Sequence, residues 1–129
     1  MKAIPVGMKG SFSLVVRPEH LANQFKDSIL PPVLATPVMI MIMENAALNV
    51  LKAYLEPGES ALGTHVDVKH LAATPAGRRV TGEAELTAVE GRRLAFRVRA
   101  TDEAGTIGEG VHQRMVIRLD TFMDRLRSR

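Results

Sequence analysis

Cysteine and tryptophan are both missing from this chain. Without cysteine there is no disulfide, no thiolate metal site and no thiol nucleophile. The absence fits a reducing cytoplasm, which is the expected location. Aromatic residues are few, with four phenylalanines and one tyrosine. Nucleic-acid surfaces usually stack bases on such rings, so that partner is not expected. The apolar run at 37–43 is too short to span a bilayer, and Glu44 and Asn45 interrupt it. Met1-Lys2-Ala3-Ile4-Pro5 opens no signal-peptide core, so a membrane partner is not expected either. Neither sign of charge dominates: 17 basic and 14 acidic side chains leave a net +3. The small excess gathers at Arg92, Arg93, Arg97 and Arg99, and again at Arg125, Arg127 and Arg129. Such a bias suits a phosphate-bearing small ligand.

What is present suffices for a core. The chain has 129 residues, 46% of them hydrophobic, the size of one compact domain spanning 1–129. Residues 11–17 read as a strand. Residues 22–35 read as a loop or lid, because Pro31 and Pro32 bar a regular helix. Thr36-Pro37 is a helix start, with threonine suited to capping and proline to the first turn. The helix is expected to reach about Tyr54 and to stop at Pro57-Gly58. Its first turns are apolar on every side, the pattern of a buried helix.

Four strands follow, at 63–71, 79–89, 94–101 and 106–119, joined by short turns that imply antiparallel pairing. The domain thus divides into first strand and lid (10–35), central helix (36–56), strands (60–119) and a C-terminal tail (120–129). One apolar helix wrapped by an antiparallel sheet of about five strands is an α+β, hot-dog arrangement. Its exposed edge strand makes a homodimer the expected remedy.

Glu44 stands in an otherwise almost wholly apolar stretch. An ionised carboxylate there loses hydration, at a cost of several kcal/mol unless it is paired. The functional reading is a general base or nucleophile; the plain reading is a buried structural acid. Thr36 is either a simple cap or a hydroxyl at a helix N-terminus, where free amides favour a developing oxyanion. His70 shares a strand face with Val66 and Val68, as a core histidine or as a partner for Glu44. The expectation is that this acid faces this imidazole across a ligand-sized gap.

His112 and Arg114 share a face of the last strand with Gly108 and Gly110, glycines that permit close approach of a ligand. Arg114 suits a carboxylate or phosphate, or is merely an exposed strand arginine. His65 and Asp67 share a face, but no third ligand follows at a recognised spacing, so no metal is expected.

Several segments together resemble the fluoroacetyl-CoA thioesterase family of hot-dog proteins. They are Leu34-Ala-Thr-Pro with Met43-Glu44, Tyr54-Leu-Glu-Pro-Gly-Glu59, Leu62-Gly-Thr64, Val68-Lys-His-Leu-Ala-Ala-Thr-Pro75, Val89-Glu-Gly-Arg-Arg-Leu94 and Ile107-Gly-Glu-Gly-Val-His-Gln-Arg114. The resemblance covers roughly residues 10–122. It implies a homodimer hydrolysing small acyl-CoA thioesters at the subunit interface, with pairing of dimers left open. It implies catalytic roles for Thr36, Glu44 and His70, and substrate contacts from Gly63 and Arg114. No cofactor is implied beyond the coenzyme A of the substrate. The fluoroacetate-selective member has an aromatic gate at the position of Leu30, and a glycine at that of Pro37. Fluoroacetyl selectivity is therefore not expected here. A hot-dog enoyl-CoA hydratase or dehydratase, and a non-catalytic acyl-CoA-binding protein, remain as alternatives.

Overall fold

The computed structural model describes residues 1–129. The chain runs β1 (Lys9–Val15), α1 (Ala22–Phe25), α2 (Thr36–Leu51), β2 (Glu59–His70), β3 (Arg79–Glu90), β4 (Arg93–Asp102), β5 (Gly105–Arg118) and α3 (Leu119–Arg127). The five strands form one antiparallel sheet in the order β1-β3-β4-β5-β2. Helix α2 lies across one face of that sheet, the hot-dog arrangement expected from the pattern. No helix is long and apolar enough to cross a membrane.

Alternation places Val80, Ala84 and Leu86 of β3, and Leu94, Phe96, Val98 and Ala100 of β4, on the face beneath the helix. Helix α2 answers with Val38, Met39, Ile42, Met43, Ala46, Ala47, Val50 and Leu51, all buried. Each large side chain fully buried this way contributes about 1.5–3 kcal/mol. Contact is close because two strands carry glycine under the helix. A Cβ on Gly10 would lie 2.7 Å from the Ala46 carbonyl oxygen, and one on Gly82 would lie 2.7 Å from that of Ile42.

The opposite side of α2 is not covered. Pro37 and Met41 are exposed, and Ile40, Glu44 and Leu48 are half-buried. Strand β2, at the sheet edge, is uncovered too: Leu62 to Asp67 are exposed in unbroken succession. Of the face expected of Val66, Val68 and His70, Val66 is 39% exposed, whereas Val68 and His70 are half-buried.

Several boundaries differ from the sequence reading. The first strand begins two residues earlier. Helix α2 ends at Leu51, because Lys52–Tyr54 turn back and Tyr54 receives a backbone hydrogen bond from Lys2 at 2.8 Å. Strand β2 starts four residues earlier, at Glu59, where it pairs with Arg118. The lid contains the short helix α1, and the tail is helical from Leu119 to Arg127.

Candidate active site

Thr36 is the first residue of α2, and the N-cap position belongs to Ala35, which makes no side-chain cap. The hydroxyl is thus free of capping and lies 2.8 Å from His70 Nδ1. His70 is the last residue of β2, opposite Gly108. Its ring is half-buried, and its Nε2 is buried without a hydrogen-bond partner. Burial lowers the His70 pKa from the ordinary histidine value, and the Ala72 backbone opposes this less strongly. Burial thus favours the neutral imidazole beside the hydroxyl.

The pair opens on a cleft of about 400 Å³, lined also by Ala22, Lys26, Leu30, Leu34 and Leu71–Ala73. Leu30 therefore shares a cavity with Thr36 and His70. The lid is tied down by Ala22 N–H donating to the Val33 carbonyl (2.7 Å) and Leu34 N–H donating to that of Thr74 (2.8 Å). Thr74, fully buried, donates its hydroxyl to Asp102 Oδ2 at 2.8 Å.

Glu44 lies eight residues beyond Thr36, about 12 Å along the helix axis. Its side chain is 37% exposed, and Oε2 is 3.9 Å from Arg114 Nη1. Within one chain the acid therefore emerges on the uncovered side of α2 and meets a guanidinium. The expected facing of Glu44 and His70 is not made inside a single copy, because their strand and helix positions are too far apart.

Arg114 is only 8% exposed, not an exposed strand arginine. Its Nη2 donates to the Ala61 carbonyl at 2.8 Å, its Nη1 lies 3.3 Å from His112 Nε2, and its Nε is buried without a partner. Burial lowers its pKa, and Glu44 acts the other way. Gly63 completes this group. A Cβ there would lie 2.9 Å from Glu44 Oε2 and 3.4 Å from Arg114 Nη1, so glycine leaves the carboxylate its room. Gly108 and Gly110 play another part than expected. The protein fills the space above Gly108, where a Cβ would lie 2.5 Å from Met39 Sδ, and above Gly110, where Asp67 and Val68 of β2 crowd in.

His112 was given no role by sequence reasoning, although it lies two residues before Arg114 on the same strand face. It is 1% exposed and donates from Nδ1 to the His65 carbonyl at 2.7 Å. No three potential ligands gather as a metal site.

Two clusters thus stand apart: a hydroxyl–imidazole pair on a cleft, and a carboxylate–guanidinium pair beside an open strand edge. Together they hold a carboxylate, an imidazole, a hydrogen-bonded hydroxyl and a cation, groups that acyl transfer to water can use.

Comparison with known proteins agrees with that chemistry. A fluoroacetyl-CoA thioesterase of Streptantibioticus cattleyicolor is 50% identical over 129 residues, covering 96% of this chain and 93% of that one. The solved structure of the fluoroacetyl-CoA thioesterase FlK superposes with a TM-score of 0.94 at 41% identity, over 99% of this chain and 98% of that one. A thioesterase superfamily member of Thermus thermophilus gives 0.92 at 32% identity, over 99% and 94%. Residues 16–120 match the profile of the fluoroacetyl-CoA-specific thioesterases, and this chain belongs to that family.

Proposed function

We propose that this protein hydrolyses small acyl-CoA thioesters in the cytoplasm, as a homodimer whose site is shared between two copies. The observation that carries this reading is the split just described. Thr36 and His70 bond each other at 2.8 Å on the Leu30 cleft, while Glu44 and Arg114 wait beside the uncovered β2 edge.

Antiparallel pairing of two β2 edges about a two-fold axis would satisfy the open backbone groups of both. A centre at His65 or Val66, within the exposed Leu62–Asp67 stretch, sets His70 of one copy opposite Ser60 or Leu62 of the other. The cleft of one copy then meets Glu44, Gly63 and Arg114 of its mate. The uncovered apolar residues of α2 would be buried in the same step.

In this site the acyl group occupies the cleft under Leu30. Thr36 orients the thioester carbonyl or the water. Glu44 either takes a proton from the water that attacks the carbonyl carbon, or attacks that carbon itself to form a mixed anhydride that water then cleaves, freeing the carboxylate. Arg114 donates to the oxygen that gains charge. The C–S bond breaks, His70 assists the departing sulfur, and water ends as the hydroxyl of the acid and the hydrogen of the thiol. No cofactor is needed beyond the coenzyme A of the substrate. Leu30 borders the acyl end, and an aliphatic gate gives no basis for fluoroacetyl selectivity.

The test is thiol release from acetyl-, fluoroacetyl-, propionyl-, phenylacetyl- and longer acyl-CoA, with sedimentation to count subunits. Thiol release by a dimer with short esters is expected. Loss of enoyl absorbance from crotonyl-CoA without thiol would instead mark a hydratase. Stoichiometric binding without turnover would mark a binding protein.

A further inference from the structure

We infer that His112 is a positioning residue for this reaction: a neutral imidazole of fixed tautomer that aims the Arg114 guanidinium at Glu44. The inference rests on the shared-site reading above, and deepens it.

The hydrogen-bond partners leave one tautomer. A backbone carbonyl only accepts, so His112 Nδ1, 2.7 Å from the His65 oxygen, carries the hydrogen. A guanidinium only donates, so Nε2, 3.3 Å from Arg114 Nη1, must be bare. A doubly protonated ring would set two donors against each other. Burial lowers the His112 pKa first of all, Arg114 lowers it further, and the His65 bond and Glu44 oppose.

The ring itself is held. It is 1% exposed and stacks on Phe96, with centroids 6.2 Å apart and planes 27° apart. The carbonyl that fixes it lies at the β-bulge between Gly63 and His65, a device that re-aims groups at the rim of a site. A histidine kept only for packing would use its nitrogens on backbone. This one uses its acceptor on a buried cation. With Ala61 holding Nη2 and His112 holding Nη1, the guanidinium has little freedom left, and Nη1 sits 3.9 Å from the Glu44 carboxylate.

The test compares His112→Phe, which keeps the ring shape without its nitrogens, with His112→Gln, whose amide supplies both an acceptor and a donor. A misplaced group at a reacting centre costs roughly 10- to 100-fold, so His112→Phe is expected to lower kcat on acetyl-CoA by about that much. KM should stay within about twofold, since only the transition state is affected. His112→Gln should recover most of the loss. In an Arg114→Lys background, His112→Phe should cost little more, because the two act as a unit. An undiminished cost there, a loss confined to KM, or full activity in His112→Phe would overturn the inference.

Nitrogen-15 NMR of the imidazole at pH 7 reads the tautomer without any turnover. A signal from bare Nε2 and protonated Nδ1 is expected; the opposite tautomer or a charged ring overturns the inference. If wild-type protein releases no thiol while the NMR finds the expected tautomer, the thioesterase reading fails and the pinning of Arg114 stands.

Discussion

Thr36 and His70 stand 34 residues apart in the chain, yet their side chains share a hydrogen bond of 2.8 Å. The hydroxyl is free to do so because Ala35, not Thr36, occupies the helix cap. Thr36→Val should therefore lower kcat by roughly 10- to 100-fold. Its melting temperature should change little, since no capping bond is lost, and loss of a cap would cost about 1 kcal/mol. Thr36→Ser should retain most activity. Steady-state kinetics and thermal melts on the pair decide this.

Glu44→Gln keeps shape and removes charge. Turnover should fall by at least about 100-fold in the thiol-release assay. The fold should hold, because an ion pair this open, at 3.9 Å with the acid 37% exposed, contributes about 0–1 kcal/mol. Full activity in this variant would remove Glu44 from the mechanism.

Gly63→Ala and Gly82→Ala should separate activity from stability. The first places a methyl 2.9 Å from Glu44 Oε2, a movable side-chain end, so the carboxylate shifts and activity falls by about tenfold or more. The second places a methyl 2.7 Å from the Ile42 backbone, which is packed in the core, and should destabilise by about 1–3 kcal/mol. Denaturant midpoints and kcat measured on both variants test the contrast.

Acid should weaken the fold through its buried imidazoles. His70 and His112 both have pKa values lowered by burial, below the ordinary value of about 6.5. Between the folded and unfolded values the unfolded chain binds more protons. Stability therefore rises with pH across that window, is flat above about 6.5, and is lost as pH falls. Around His112 stand Arg114, Glu44 and His65, with Phe96 on the ring face; around His70 stand the Thr36 hydroxyl and the Ala72 backbone. His112→Gln should flatten part of the acid slope in melts taken from about pH 5 to 7.5.

The helix and the β3-β4-β5 hairpins were legible because Thr36-Pro37, Pro57-Gly58 and the alternating strands are local signals. The places of β1 beside β3 and of β2 beside β5 were not, being set by contacts distant in sequence. The early start of β2 was not, since Glu59 to Leu62 lack alternation and depend on pairing with β5. The exposure of Glu44 was hidden for a different reason. Apolar neighbours along the chain do not tell which side of a helix the sheet covers. His112 left a trace, two residues from Arg114 on one strand face, but its tautomer depends on a carbonyl 47 residues away.

The bare edge of β2 also bears on how activity scales with concentration. If each catalytic centre draws one half from either chain, a lone subunit is inert. Specific activity should then decay on dilution, following a binding isotherm for two identical halves. Mixing a Thr36→Val chain with a Glu44→Gln chain should regenerate one working centre in each mixed pair, although neither parent turns over well alone.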